Sequence, residues 1–171
     1  MESVAHYRSD VTASAIVSSP GLGFRLSLKP DRAAKGFFDG GWWPRSAEPV
    51  AEFSALVCAL VDQLGAVDRI GFSLDVWDMA PRRLVVQEGT VWLHGFRGLN
   101  RHTIVVIGPM IRRLMLLVVP PDTNVDTAER ALARAAAPNN IDDADQILAA
   151  SGVRRLEPTA GIPGPREHEQ R

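Results

Sequence analysis

An α+β domain built on an antiparallel sheet of five to six strands is the fold class predicted by this 171-residue sequence. Three observations lead there. A long apolar stripe at helical spacing runs from Val50 to Leu64. Short runs rich in β-branched residues follow it, with Gly or Pro between them. Ala-rich helical segments then close the pattern. Consecutive short strands with tight turns pair as a meander. The expected order is therefore strand, long helix, five-strand meander and one or two helices, with the helices packed on one face of the sheet.

Each element has its own local reason. Residues 1–20 are small and polar and carry no strong period, so they are expected to form a disordered arm. Phe24, Leu26 and Leu28 alternate as the buried side of a first strand, which Pro30 stops. Asp31 to Gly41 reads as a loop. Ser46 is the expected N-cap of the long helix, with Pro49 in its first turn, where a missing N–H costs nothing. Val50, Phe53, Val57, Leu60, Val61 and Leu64 form its stripe, and Gly65 ends it. Cys58 sits among these residues and is expected to be a small core hydrophobe. Ile70, Phe72, Leu74 and Val76 alternate as a second strand. Leu84–Val86 and Val91–His94 make a hairpin with Gly89 in the turn. Thr103–Ile107 and Leu114–Val119 make another across Gly108-Pro109, ended by Pro120-Pro121. Asp126 to Glu129 has capping-box spacing for a helix that stops before Pro138. A short helix over 142–150 follows. The domain is expected to span 21–152, with a flexible tail over 153–171.

Composition narrows the class. Hydrophobic residues make up 46% and charged residues 23%, as in an ordinary soluble domain. The net charge of −1 supplies no global field for nucleic acid or an anionic membrane. With Cys58 as the only cysteine, no intramolecular disulfide can form. The start Met-Glu-Ser-Val-Ala-His lacks a secretory pattern, and the apolar run Leu114–Val119 is too short to span a bilayer. A cytoplasmic bacterial protein is expected. Lys29 and Lys35 are the only lysines among nineteen basic residues, an arginine bias typical of GC-rich genomes.

The least ordinary stretches are Asp39-Gly-Gly-Trp-Trp-Pro-Arg-Ser46 and Trp77-Asp-Met-Ala-Pro-Arg-Arg83. Pro44 biases Trp43 to an extended backbone, so Trp42 and Trp43 project to opposite sides, and one can bury while the other stays near the surface. Arg45, Arg82 and Arg83 could frame a cleft floored by Trp43 or Trp77, suited to a planar or anionic ligand. The blander alternative has the tryptophans filling the core and the arginines paired with Asp39, Asp75 and Asp78. Arg82 and Arg83 are expected to face opposite ways, one structural and one exposed. Asp75, Asp78, His94 and His102 have metal-ligand types but no recognised spacing, so no metal or cofactor is expected. Arg97, Arg101, Arg112 and Arg113 flank one hairpin and read as a solvated edge. No helix-turn-helix or RRM aromatic box is visible, and nucleic acid is not an expected partner.

These two stretches, with Gly95-Phe-Arg97 and Leu116-Leu-Val-Val-Pro-Pro-Asp-Thr123, resemble a domain family common in actinobacteria that has no assigned activity. The resemblance covers about residues 24 to 137. It implies a small intracellular bacterial domain and carries over no catalytic residue. The leading expectation is a non-enzymatic binding module using Trp43, Arg45, Trp77, Asp78, Arg82 and Arg83 toward a small molecule or protein. The alternative is a small enzyme for an anionic or aromatic substrate, with Asp75, Asp78 or His94 as acid or base.

Overall fold

The structure, a computed structural model, describes residues 25–30, 36–87 and 89–153. The expected arm over 1–20, Phe24 and the tail beyond Val153 lie outside the described residues. Within them are seven strands: β1 Leu26–Leu28, β2 Gly40–Trp42, β3 Arg69–Ser73, β4 Arg83–Val86, β5 Gly89–Phe96, β6 Thr103–Ile107 and β7 Arg113–Val118. Three α-helices accompany them: α1 Pro49–Leu64, α2 Val125–Ala135 and α3 Ala144–Ser151.

The fold is α+β, but the sheet is larger than the expected one and mixed. Its order is β1-β2-β7-β6-β3-β5-β4. Both expected hairpins form as antiparallel pairs, β4 with β5 and β6 with β7. The remaining strands do not follow sequence order. β5 runs parallel to β3 and fills the place between β3 and β4, while β6 takes the other side of β3. β3 is thereby central, which suits a strand whose Ile70 and Phe72 are fully enclosed. β2 pairs in parallel with β7 and antiparallel with β1. The segment expected to be loop up to Gly41 therefore ends in a strand, hidden by a Gly-Gly pair that strands ordinarily avoid.

The helices lie on both faces, not one. α1 sets Phe53, Leu56, Val57, Leu60 and Leu64 against Ile70, Phe72, Leu93, Ile104, Val106 and Leu116 in one core. A second core joins Trp43, Leu117 and Val119 to Ala128, Ala131 and Leu132 of α2 and Ile147 and Leu148 of α3. Leu116 and Leu117 are neighbours on β7 and so enter opposite cores. Gly41 permits the close approach of α2. A Cβ there would stand 3.0 Å from Leu132 Cδ2 and 3.2 Å from Ala135 Cβ.

Further expectations are corrected. Cys58 is exposed, because it follows Val57 by about 100° of helix and falls off the stripe; Val50, at the entry of α1, is exposed as well. The α1 N-cap is Glu48, not Ser46, with Pro49 directly inside it. The α2 cap is Asn124, whose side chain accepts from the Thr127 amide at 2.9 Å, so Asp126 falls in the first turn. A capping box does occur at α3, between Asp143 and Gln146. β3 also stops at Ser73 rather than Val76, where the chain enters a turn.

Candidate functional site

α2 covers the β1–β2–β7 end of its face, and α3 packs beside α2 with Ile147 and Leu148 in the same core. Among the described residues no helix covers the rest of that face beyond Met115, which packs against the second core. Its outward positions follow from the registers. Arg83, Trp92, Arg69, Ile107 and Arg113 form one row across β4, β5, β3, β6 and β7. His94, Gly71, Val105 and Met115 form the next row, and Phe96 lies beyond, opposite Ser73.

Strand alternation explains the aromatic content of this face. Val91 and Leu93 of β5 point to the α1 core, so Trp92, His94 and Phe96 point away from it. Trp92 and Phe96 are each 51% exposed, and His94 is exposed too. Phe96 does not stand upright. A Cβ on Gly71 would lie 3.2 Å from Phe96 Cε2, so the ring rests over the glycine. Glycine in a strand interior marks such a close approach. The sheet thereby seats one edge of the ring on the glycine and leaves about half of the residue exposed.

The charge on this face has a single sign. Arg69, Arg83 and Arg113 are exposed and share the Trp92 row. No Asp or Glu occupies an outward position of β3 to β7. Arg97 follows Phe96, and Arg101 precedes β6 at the same end of the sheet; both are exposed.

The tryptophan stretches serve chiefly the interior. Trp42 stacks on Trp77 at 6.1 Å and tilts against Phe53 at 6.3 Å. Trp43 turns to the other core, where its indole N–H donates to the Pro120 carbonyl at 3.1 Å. The two side chains do project oppositely, yet both are buried, at 4% and 7% exposure, because helices cover both faces here. Trp43 and Trp77 belong to different cores, so they do not floor a common cleft.

The arginines of these stretches divide. The Arg25 guanidinium lies 4.0 Å over the Trp43 ring and donates to the Pro44 carbonyl at 3.1 Å. Burial lowers the Arg25 pKa from its ordinary value, the nearby Arg45 charge adds to this, and Glu52 opposes it. The Glu52 carboxylate accepts from the Arg45 amide at 3.1 Å and the Ser46 hydroxyl at 2.9 Å. Arg45 itself is exposed, as are Asp78 and both Arg82 and Arg83. Arg82 lies just before β4, where strand alternation does not yet govern it, so the expected division into one structural and one exposed arginine is not observed. Neither forms an ion pair with Asp39, Asp75 or Asp78. The Asp39 carboxylate instead accepts from the Met115 amide at 2.7 Å.

Of the expected acid–base residues, Asp75 and Asp78 lie in and after the turn that follows β3, while His94 belongs to the open face. Among the described residues, no group of three or more His, Cys, Asp or Glu side chains is placed to hold a metal ion. No helix among them is long and apolar enough to cross a membrane.

Arg83 is the member of the sequence-derived set that lies in the open-face row. Trp92 and Phe96 were legible as aromatics on the outer side of an alternating strand. Comparison with curated proteins and with solved structures gave no match. A family model matches residues 25–135, from β1 to the end of α2, and the chain belongs to that family, DUF5994, a family of unknown function.

Proposed function

We propose that this domain is a non-enzymatic binding module whose working surface is the bare sheet face around Trp92 and Phe96, and that its partner is anionic. The observation that carries the reading is the row Arg83–Trp92–Arg69, which sets the exposed Trp92 between exposed arginines on the two adjacent strands. Exposed apolar surface rimmed by polar groups marks interaction sites, and arginine beside an aromatic suits anions and flat groups alike. The reading keeps Arg83 from the second tryptophan stretch. It moves the aromatic role from Trp43 and Trp77, which are buried, to Trp92 and Phe96. As proposed here the module works in the cytoplasm of an actinobacterium, a setting supported by the arginine bias and the single Cys58.

Trp92 is the one exposed tryptophan of four, so collisional quenching of the intrinsic fluorescence reports on this face. The full chain is titrated with polyglutamate, heparin and oligouridylate while acrylamide quenching is followed. At least one polyanion is expected to shield Trp92, and Trp92→Phe abolishes that signal. If no polyanion shields it at low salt, the reading fails.

A further inference from the structure

We infer that the anionic partner is single-stranded nucleic acid, with bases stacked on Trp92 and Phe96 and phosphates held by Arg69, Arg83 and Arg113. This rests on the reading of the bare face as the binding surface and adds the partner's identity.

The surface has two halves, and the partner must use both. The arginine half accepts any polyanion. Arg83, Arg69 and Arg113 recur every second strand along one row, roughly 10 Å apart at the usual strand spacing. With no acid at any outward position of β3 to β7, the local field is positive although the whole chain is near neutral. The whole-chain charge of −1 averages this patch away.

The aromatic half is selective. The Phe96 ring reaches over Gly71 by its Cδ2–Cε2 edge and remains half exposed, and Trp92 stands two outward positions away on the same strand. A flat ring with a free surface is a platform for another flat ring, and every nucleobase has a π-face. Acidic peptides and sulfated sugars would satisfy the arginines and leave these rings uncovered. A duplex offers phosphates but no free base surface, because each base is already stacked between neighbours. An unpaired strand supplies both, and aromatics on an open sheet are a recurring way to bind one. His94, between Trp92 and Phe96, offers a third ring in the same line.

The test uses the full chain and short oligouridylate and oligothymidylate, with a duplex of equal length, heparin and polyglutamate as competitors. Single strands are expected to quench Trp92 and to bind more tightly than the three competitors. Trp92→Ala and Phe96→Ala should each weaken binding roughly 5- to 150-fold, the usual worth of one stacked base. Trp92→Phe should retain most of the affinity. With three phosphates engaged, the slope of log affinity against log salt should be about −2, and Arg83→Ala should reduce its size by about 0.7. Melting curves of each variant separate lost contacts from lost folding.

The failures are distinguishable. If heparin or polyglutamate binds as well as the single strand and Phe96→Ala changes nothing, the partner is a polyanion of another kind; the nucleic-acid inference falls and the binding module stands. Equal affinity for duplex and single strand also overturns the inference. If no polyanion binds, both fall. Both fall as well if Trp92 of the free chain is already shielded from acrylamide, since the face is then taken by a second copy, seen as a dimer in sedimentation, or by the chain's own remaining residues.

Discussion

Four tryptophans divide three to one between interior and solvent, and the division sets how each responds to truncation. Trp77 touches Trp42 and Phe53, the latter at 5.0 Å between ring centroids. Trp77→Ala and Trp42→Ala should each cost roughly 3–5 kcal/mol in urea denaturation, as large aromatic deletions from a core do. Trp92→Ala should stay within about 0.5 kcal/mol of the parent, as surface changes do. Glu52 is a second case. Its side chain gathers the Arg45 amide and the Ser46 hydroxyl at the start of α1. Glu52→Ala leaves both without that acceptor and should lower stability by roughly 1–3 kcal/mol, measured the same way. The sequence made Trp42 and Trp43 conspicuous and their opposite directions predictable from Pro44. It could not show that both are buried, because that depends on α2, some eighty residues further along the chain. Cys58 shows the same limit on a smaller scale. Its neighbours Val57 and Leu60 belong to the stripe, but position on the helix, not company in the sequence, decides burial.

Elements with strong local signals were legible and those defined by partners were not. α1 was readable from its stripe, and both hairpins from their turns, because each is specified within a short stretch of chain. β2 was not, since three residues containing Gly40 and Gly41 become a strand only by lying between β1 and β7. The parallel pairing of β3 with β5 was likewise hidden, because nothing local says that β4 will leave a gap for β5. Gly41 tests how closely α2 depends on β2. A Cβ there meets Leu132 at 3.0 Å and Ala135 at 3.2 Å, so Gly41→Ala should force a shift of α2. Overpacking of this kind costs about 1–3 kcal/mol. Gly98→Ala, where an added Cβ meets nothing within 4 Å, is the matched comparison. Equal melting temperatures for the two variants would show that α2 yields freely.

At the scale of the whole molecule, the sheet is covered by α1 on one face and by α2 and α3 on part of the other. The stretch from β1 to α3 contains both cores, so a 21–152 chain is expected to keep the cooperative melt of the full-length protein. A large loss of stability on trimming would mean that residues outside that stretch belong to the fold. At this scale the two-sided packing departs furthest from the expected single-sided one. Ala-rich helices give little sense of which side they will take, and Leu116 with Leu117 on β7 supplies an apolar side chain to each. Among the described residues no helix covers the side bearing Trp92, and Cys58 is exposed on α1, which packs on the opposite face of the sheet. The protein thus carries a single natural attachment point that leaves the bare face free. A maleimide linker at Cys58 would present every immobilised molecule with Trp92 outward. Air oxidation would join two copies back to back, a bivalent form with two outward sheets, so storage under a reductant decides whether one face or two enter an assay.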